Sequence, residues 1–277
     1  FSKHVRKFFK HPKLIALMEF PVLFLGAMPK DTPALYSLMN YAGLELGTWY
    51  PQGGFASVIK AMNKVATENG VHIHTEATVE KLITDNGKIT HLKTLEKSIE
   101  VDAVIASADY HHIEQEVLEE KDRTYTEDYW NSRTLAPSSL IFYLGVNKKL
   151  PSLEHHNLFF HSDFNKHAEE IYKSPSWPND PLFYVCCPSK TDPSVAPEGH
   201  ENVFILIPIA PELDDTQNIR DEFFDKTIKR LESLTGETIR EHIIYKKDYC
   251  VKDFKKDYNS YKGNAYGLGN NLRQTAI

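Results

Sequence analysis

The sequence predicts an α/β fold built as two units, and three observations carry that reading. A helical stripe over 55–66 gives way to strand-like alternation over 71–80 and from 88 onward. A buried-strand pattern then centres on Val104 and Ile105. From about residue 130, the strand-like runs SSLIFYLGV, HNLFF, LFYVCC and NVFILIPIA follow one another, with one strong helix, NIRDEFFDKTIKRLESLTG, behind them. The chain has 277 residues, 41% apolar and 25% charged, which is globular composition with material for a sizeable core.

Residues 1–28 hold five cations in their first half, Lys3, Arg6, Lys7, Lys10 and Lys13, and an apolar second half interrupted by Glu19 and Pro21. No run reaches the ~18–20 apolar residues that span a bilayer. Two readings stay open: a helix with a solvated basic face, or a basic amphipathic helix lying on a membrane surface. In DTPALYSLMNYAG, Asp31 or Thr32 can cap, Pro33 suits a first helical turn, and a short helix is expected to end near Gly43.

YPQGGFASVIKAMNKV follows. Phe55, Val58, Ile59, Met62, Val65 and Ala66 make one helical stripe, closed by Asn69-Gly70. In VHIHTEATVEK, apolar residues alternate with His72, His74, Thr78 and Glu80, the pattern of a strand with one wet face. Asp85-Asn86-Gly87 turns it into a return strand from Lys88, and SIEVDAVIASAD reads as a buried strand. Helix, strand, hairpin and buried strand form the layout of an α/β nucleotide-binding domain with a β-ribbon excursion, so a parallel sheet is expected over 50–110. EQEVLEEKDRTYTEDYW reads as a surface helix and loop. The later strands, with IREHIIYKKDY as a further one, are expected to form a mixed or antiparallel sheet over about 130–262. Ile219, Phe223, Ile228, Leu231 and Leu234 stripe its backing helix, and Gly236 ends it.

The formal charge of −6 argues against a nucleic-acid partner. Three cysteines, Cys186, Cys187 and Cys250, fit neither a disulfide framework nor a zinc spacing, and point to a reducing compartment. The Cys186-Cys187 pair lies in an apolar strand and reads as inert thiols. The adjacent pairs His111-His112 and His155-His156 read as surface imidazoles, and no metal site is expected. YGLGNNLRQ mimics a glycine fingerprint with Gly267 and Gly269, but its third position is Leu272 and no convincing strand leads into it. The chain begins on Phe1 and is read as a piece of a longer protein.

Gly53-Gly54 carries the sharpest chemical signal. A helix N-terminus offers backbone N–H groups and partial positive charge, and glycine lets an anion come close. Such a turn serves structure alone as readily as it serves a phosphate.

Taken in order, NYAGLELGTWYPQGGFASVIKAM, NGVHIHTEATVEKL, VDAVIASADYHH and AYGLGNNLRQTAI resemble the phytoene desaturase (phytoene dehydrogenase) family of carotenoid enzymes, within the FAD-dependent amine-oxidase-like superfamily. The likeness covers nearly the whole chain, by layout more than by motif over roughly 111–262. It implies a partial FAD-binding Rossmann-like domain plus a substrate domain with a mixed β-sheet and a helical lid. The corresponding segments are a lid or membrane-facing part at 1–49, an FAD-binding part at 50–110, a substrate-binding domain at 111–262, and a return to the FAD-binding domain at 263–277. It also implies hydride transfer from a carotenoid or precursor such as phytoene to FAD. The partners would be a lipophilic polyene and a peripheral membrane surface, in a cytoplasmic, membrane-associated protein.

By the same resemblance, Val79 meets the adenine end of FAD through its backbone. Gly53, Gly54 and Glu80 are expected near the cofactor. The family's N-terminal G-x-G-x-x-G unit, its glycine-rich segment near the C-terminus and its proposed proton-handling residues have no match in these 277 residues. No catalytic residue is therefore assigned, and weak FAD binding is expected. Rival readings are a flavin-dependent polyene isomerase or saturase, and a non-catalytic apolar-ligand or membrane-binding module.

Overall fold

The computed structural model describes residues 1–23, 27–269 and 274. Two helices start the chain, α1 (Ser2–Phe8) and α2 (Pro12–Leu23), the second with Pro21 inside it. Phe1, Val5 and Val22 bury one another where the two helices meet. Arg6 pairs with Glu19, whose carboxylate is buried. The glutamate that breaks the apolar pattern thus anchors one of the five cations inside the helix pair. Phe20 and Met28 then bury against Phe164, Ala168, Ile171 and Leu182, which docks this segment on the second unit. No described helix is long and apolar enough to cross a membrane.

A 3-10 turn, Ala34–Tyr36, leads into α3 (Ser37–Tyr41), and a π turn, Ala42–Leu46, extends it. The helical run therefore passes the stop expected at Gly43 and ends at Gly47, whose φ of +84° is open to glycine at no steric cost. Thr32 does not cap this run: its hydroxyl donates to the Met28 carbonyl at 2.9 Å.

α4 (Phe55–Glu68) forms as its stripe predicts and stops at Asn69-Gly70, but none of its residues is buried. Next come β1 (Val79–Asp85), β2 (Lys88–Thr94) and β3 (Ser98–Glu100). They make a three-stranded sheet in the order β1-β2-β3, antiparallel throughout. The parallel sheet expected over 50–110 is not what forms. Asn86 and Gly87 both hold positive φ, the backbone of a tight hairpin, and a hairpin joins antiparallel strands only. Residues 71–78 and 101–108 belong to no strand, and Ile105 is 97% exposed.

α5 (Tyr110–His112), a π turn at Ile113–Val117 and α6 (Glu127–Asn131) occupy the stretch read as a surface helix and loop. It is partly interior. The Glu114 carboxylate accepts from the N–H groups of Thr124 and Tyr125 at 2.9 and 3.3 Å, which explains its burial. Trp130 is buried with Tyr110, Tyr125 and Tyr129 set edge-on around it.

The second unit contains β4 (Ser138–Val146), β5 (His156–Phe159), α7 (Phe164–Tyr172), β6 (Phe183–Cys186), β7 (Glu201–Ile209), α8 (Gln217–Thr235), β8 (Ile243–Tyr249) and α9 (Val251–Tyr258). Its five strands run in the order β5-β6-β7-β4-β8, and every pair is antiparallel, so of the mixed and antiparallel forms that the strand runs allow, the antiparallel one forms, and not the mixed sheet that the resemblance implies. Leu140, Phe142, Leu144 and Val146 on β4 and Val203, Ile205, Ile207 and Ile209 on β7 face one side. Phe223, Phe224, Ile228 and Leu231 of α8 cover them. Leu234, placed on that stripe by spacing, is 45% exposed instead. Gly236 ends α8 at φ +72°, and its N–H returns to the Glu232 carbonyl at 2.8 Å.

The chain then runs back beside the start of β4. Ala265 and Gly269 donate to the carbonyls of Pro137 and Thr134, and Ala136 donates to Gly267. Of the glycine pattern considered there, Leu272 lies outside the described residues.

Candidate functional site

The double-glycine turn is built as its sequence suggests. Gly53 and Gly54 sit at φ +78° and +76°, and Gly54 is the N-cap of α4 with no side chain capping it. A Cβ on Gly53 would stand 2.7 Å from the Ser57 hydroxyl, which donates to the Gln52 carbonyl. An anion does take the Gly53 N–H, but it belongs to the protein: Asp192 Oδ2 accepts at 2.6 Å. Gly54 N–H is used as well, donating to Pro51 at 2.9 Å. Asp192 also accepts from the Ser194 hydroxyl at 2.6 Å and its N–H at 3.0 Å. The Ser194 hydroxyl, and after it the Gly53 N–H, hold this carboxyl below the usual range. A negative group settled here would repel a phosphate approaching the same amide.

Val79 and Glu80 open β1, with Val79 opposite Thr94 on β2. β1 is the edge of its sheet, so backbone groups turned away from β2 are not claimed by a ladder. Glu80 is exposed. The four residues thus fall at two places, the mouth of α4 and the start of β1. The Gly53 amide is taken by Asp192 and does not fit an FAD phosphate, whereas the backbone of Val79 lies on an edge strand.

A second feature was not legible in the sequence beyond its wealth of tyrosine and phenylalanine. The antiparallel register lines up one row of side chains across the face of the large sheet opposite α8: Lys247, Tyr143, Phe204, Cys186 and His156. The next row is Tyr249, Ile141, Leu206, Tyr184 and Leu158. At one end, a cleft of 600 Å³ opens between this face, α9, and the chain at 107–110 and 260–267. Tyr143, Tyr249, Phe254, Tyr258 and Tyr266 give it an aromatic lining. Burial, and then the nearby Tyr258, push the Tyr143 phenol above its ordinary pKa. Burial, and then the Asp257 carboxylate, do the same to Tyr249. Both phenols are neutral at physiological pH. The arrangement can receive a long apolar molecule laid across strands, with edge-on rings as its floor.

Comparisons with known proteins follow the same line. A family model described as flavin containing amine oxidoreductase matches residues 1–276. Carotenoid 3,4-desaturase of Haloarcula japonica is 41% identical across 100% of this chain and 56% of its own length. The zeta-carotene-forming phytoene desaturase of Myxococcus xanthus is 31% identical across 98% of this chain and 52% of its own. This chain thus spans about half the length of the curated relatives it matches. Among solved structures, an oxidoreductase from Methanosarcina mazei superposes with a TM-score of 0.61 at 20% identity, covering 84% of this chain and 52% of that one. That likeness concerns the fold.

Proposed function

Because this chain belongs to the flavin containing amine oxidoreductase family, we propose that it serves in the FAD-dependent desaturation of a carotenoid or a carotenoid precursor such as phytoene. The observation that carries this reading is the aromatic cleft running into the row Tyr249, Ile141, Leu206, Tyr184 and Leu158 on the sheet face opposite α8, in a chain 41% identical to a carotenoid desaturase. Bound FAD would supply the hydride acceptor for such a desaturation, with the proton of the neighbouring carbon passing to solvent as the new double bond forms. The edge backbone at Val79 would hold the cofactor's adenine end.

The residues of this chain do the binding. Tyr143, Tyr249 and Phe254 stack along the polyene and keep water from it, and neutral phenols keep the bed apolar. The exposed Phe8, Leu14 and Leu17 suit a segment that rests on a membrane holding such a substrate.

The experiment expresses the gene that encodes this chain in a host accumulating a colourless C40 polyene and follows the pigments by chromatography and absorbance. Desaturation lengthens the chromophore and shifts absorption to the red. A shift to the blue would show saturation, and unchanged redox state with altered geometry would show isomerisation; either overturns the reading.

A further inference from the structure

β5 and β6 bring together three metal-binding side chains that sequence spacing keeps apart. His156 and Cys186 are directly opposed across the two strands, so their Cβ atoms are cross-strand neighbours. His155 precedes β5, and its carbonyl accepts from the Cys187 N–H at 2.8 Å, which pins the register. The two imidazoles lie side by side, ring centroids 4.3 Å apart. One ligand atom from each of His155, His156 and Cys186 falls within 4.8 Å of the other two.

The surroundings set the rings for ligation. Nδ1 of His155 is 2.6 Å from the Thr191 hydroxyl, and Nδ1 of His156 is 2.6 Å from the Tyr184 hydroxyl. Thr191 can itself donate to the Pro188 carbonyl, leaving its oxygen to accept from His155 Nδ1–H. Such hydroxyl partners fix the ring orientation of metal-binding histidines, and one ring nitrogen of each imidazole is the atom that falls in the cluster. Tyr50 packs edge-on against His155 at 4.8 Å, placing the cluster beside the double-glycine turn.

We propose that His155, His156 and Cys186 bind one divalent transition-metal ion of the zinc type. Two imidazole nitrogens and one thiolate suit a borderline-soft cation and not Mg²⁺ or Ca²⁺, which take oxygen. Bond lengths of about 2.0–2.1 Å to nitrogen and 2.3 Å to sulfur put tetrahedral ligand atoms roughly 3.3–3.7 Å apart. The side chains therefore need to close by about 1 Å. Binding replaces the Cys186 S–H proton with the metal and releases that proton to solvent; the fourth position takes water. The ion ties the edge strand β5 to β6 at the rim of the open sheet face.

Cobalt(II) titration of tag-free, metal-stripped, reduced protein tests this. One Co²⁺ per chain should produce a thiolate-to-cobalt charge-transfer band and intense tetrahedral visible bands, and Zn²⁺ should abolish both. Cys186→Ser and His156→Asn should lose the charge-transfer and tetrahedral bands respectively, with far-UV circular dichroism unchanged. Cys187→Ala and Cys250→Ala should each keep both, which assigns the sulfur even where Cys186→Ser folds poorly. Absence of a charge-transfer band in the wild-type chain, or its survival in folded Cys186→Ser, overturns the proposal.

Discussion

The backbone N–H of Gly53 donates to the Asp192 carboxylate at 2.6 Å across 139 positions of chain, tying the mouth of α4 to the loop after β6. This bond predicts that Asp192→Ala frees the turn without unfolding the sheet. Hydrogen exchange should quicken at residues 50–57 and stay slow in β4 and β7; equal protection of 50–57 in both proteins would refute the tie. Gly53→Ala should cost about 1–3 kcal/mol in a denaturant melt, because its φ is positive and its Cβ meets the Ser57 hydroxyl.

Arg220 should be a principal support of the second unit. Its guanidinium holds both oxygens of buried Asp215 at 2.7 and 2.6 Å and reaches Asp248 and Asp253 at 2.7 Å each. Arg220→Met strands the Asp215 charge and should cost about 3–5 kcal/mol in urea unfolding. Burial pushes the Asp215 carboxyl up, but the Arg220 fork and the Lys252 N–H outweigh it and hold it below the usual range. The wild-type advantage is therefore complete above the ordinary Asp pKa near ~3.9 and fades as pH falls through the lowered folded value. An advantage constant into strong acid would contradict the assignment.

His167 gives the fold a milder acid sensitivity. Its Nδ1 accepts from the Leu182 N–H at 3.1 Å and its Nε2 lies 2.8 Å from the Pro208 carbonyl, so it is neutral with the proton on Nε2. Burial is the main cause of its lowered pKa. Below about pH 6.5 the unfolded chain takes up a proton that the folded chain refuses, so stability falls with pH. His167→Phe should cost about 1–3 kcal/mol at pH 8 by leaving both backbone partners unpaired. Its melting temperature should also vary less between pH 7 and 5 than the wild type's; parallel curves would remove His167 as the source.

The two striped helices should respond oppositely to substitution. Ile59→Gln and Met62→Gln in α4 fall on exposed positions and should each shift stability by no more than about 0.5 kcal/mol. Ile228→Ala in α8 opens the core and should cost about 2–5 kcal/mol. Comparable costs at the two helices would mean that the α4 stripe is covered.

Local pattern determined much of this protein by itself. The spacing of Phe55, Ile59 and Met62 made α4, Asn86-Gly87 made the hairpin, Gly236 stopped α8, and strand-like apolar runs marked β4 and β7, because each depends on neighbours a few residues away. Positive φ at Gly53 and Gly54 was legible for the same reason.

What those elements meet was decided by tertiary structure alone. No period in the sequence says that Asp192 occupies the Gly53 amide, or that Glu114 sinks inward on two N–H groups. Nor does it say that the second sheet is antiparallel throughout, or that 71–78 and 101–108 stay outside any sheet. The cleft and the His155–His156–Cys186 cluster arise from register between strands. Register is set by which backbones pair, a long-range outcome that residue spacing along one chain does not encode.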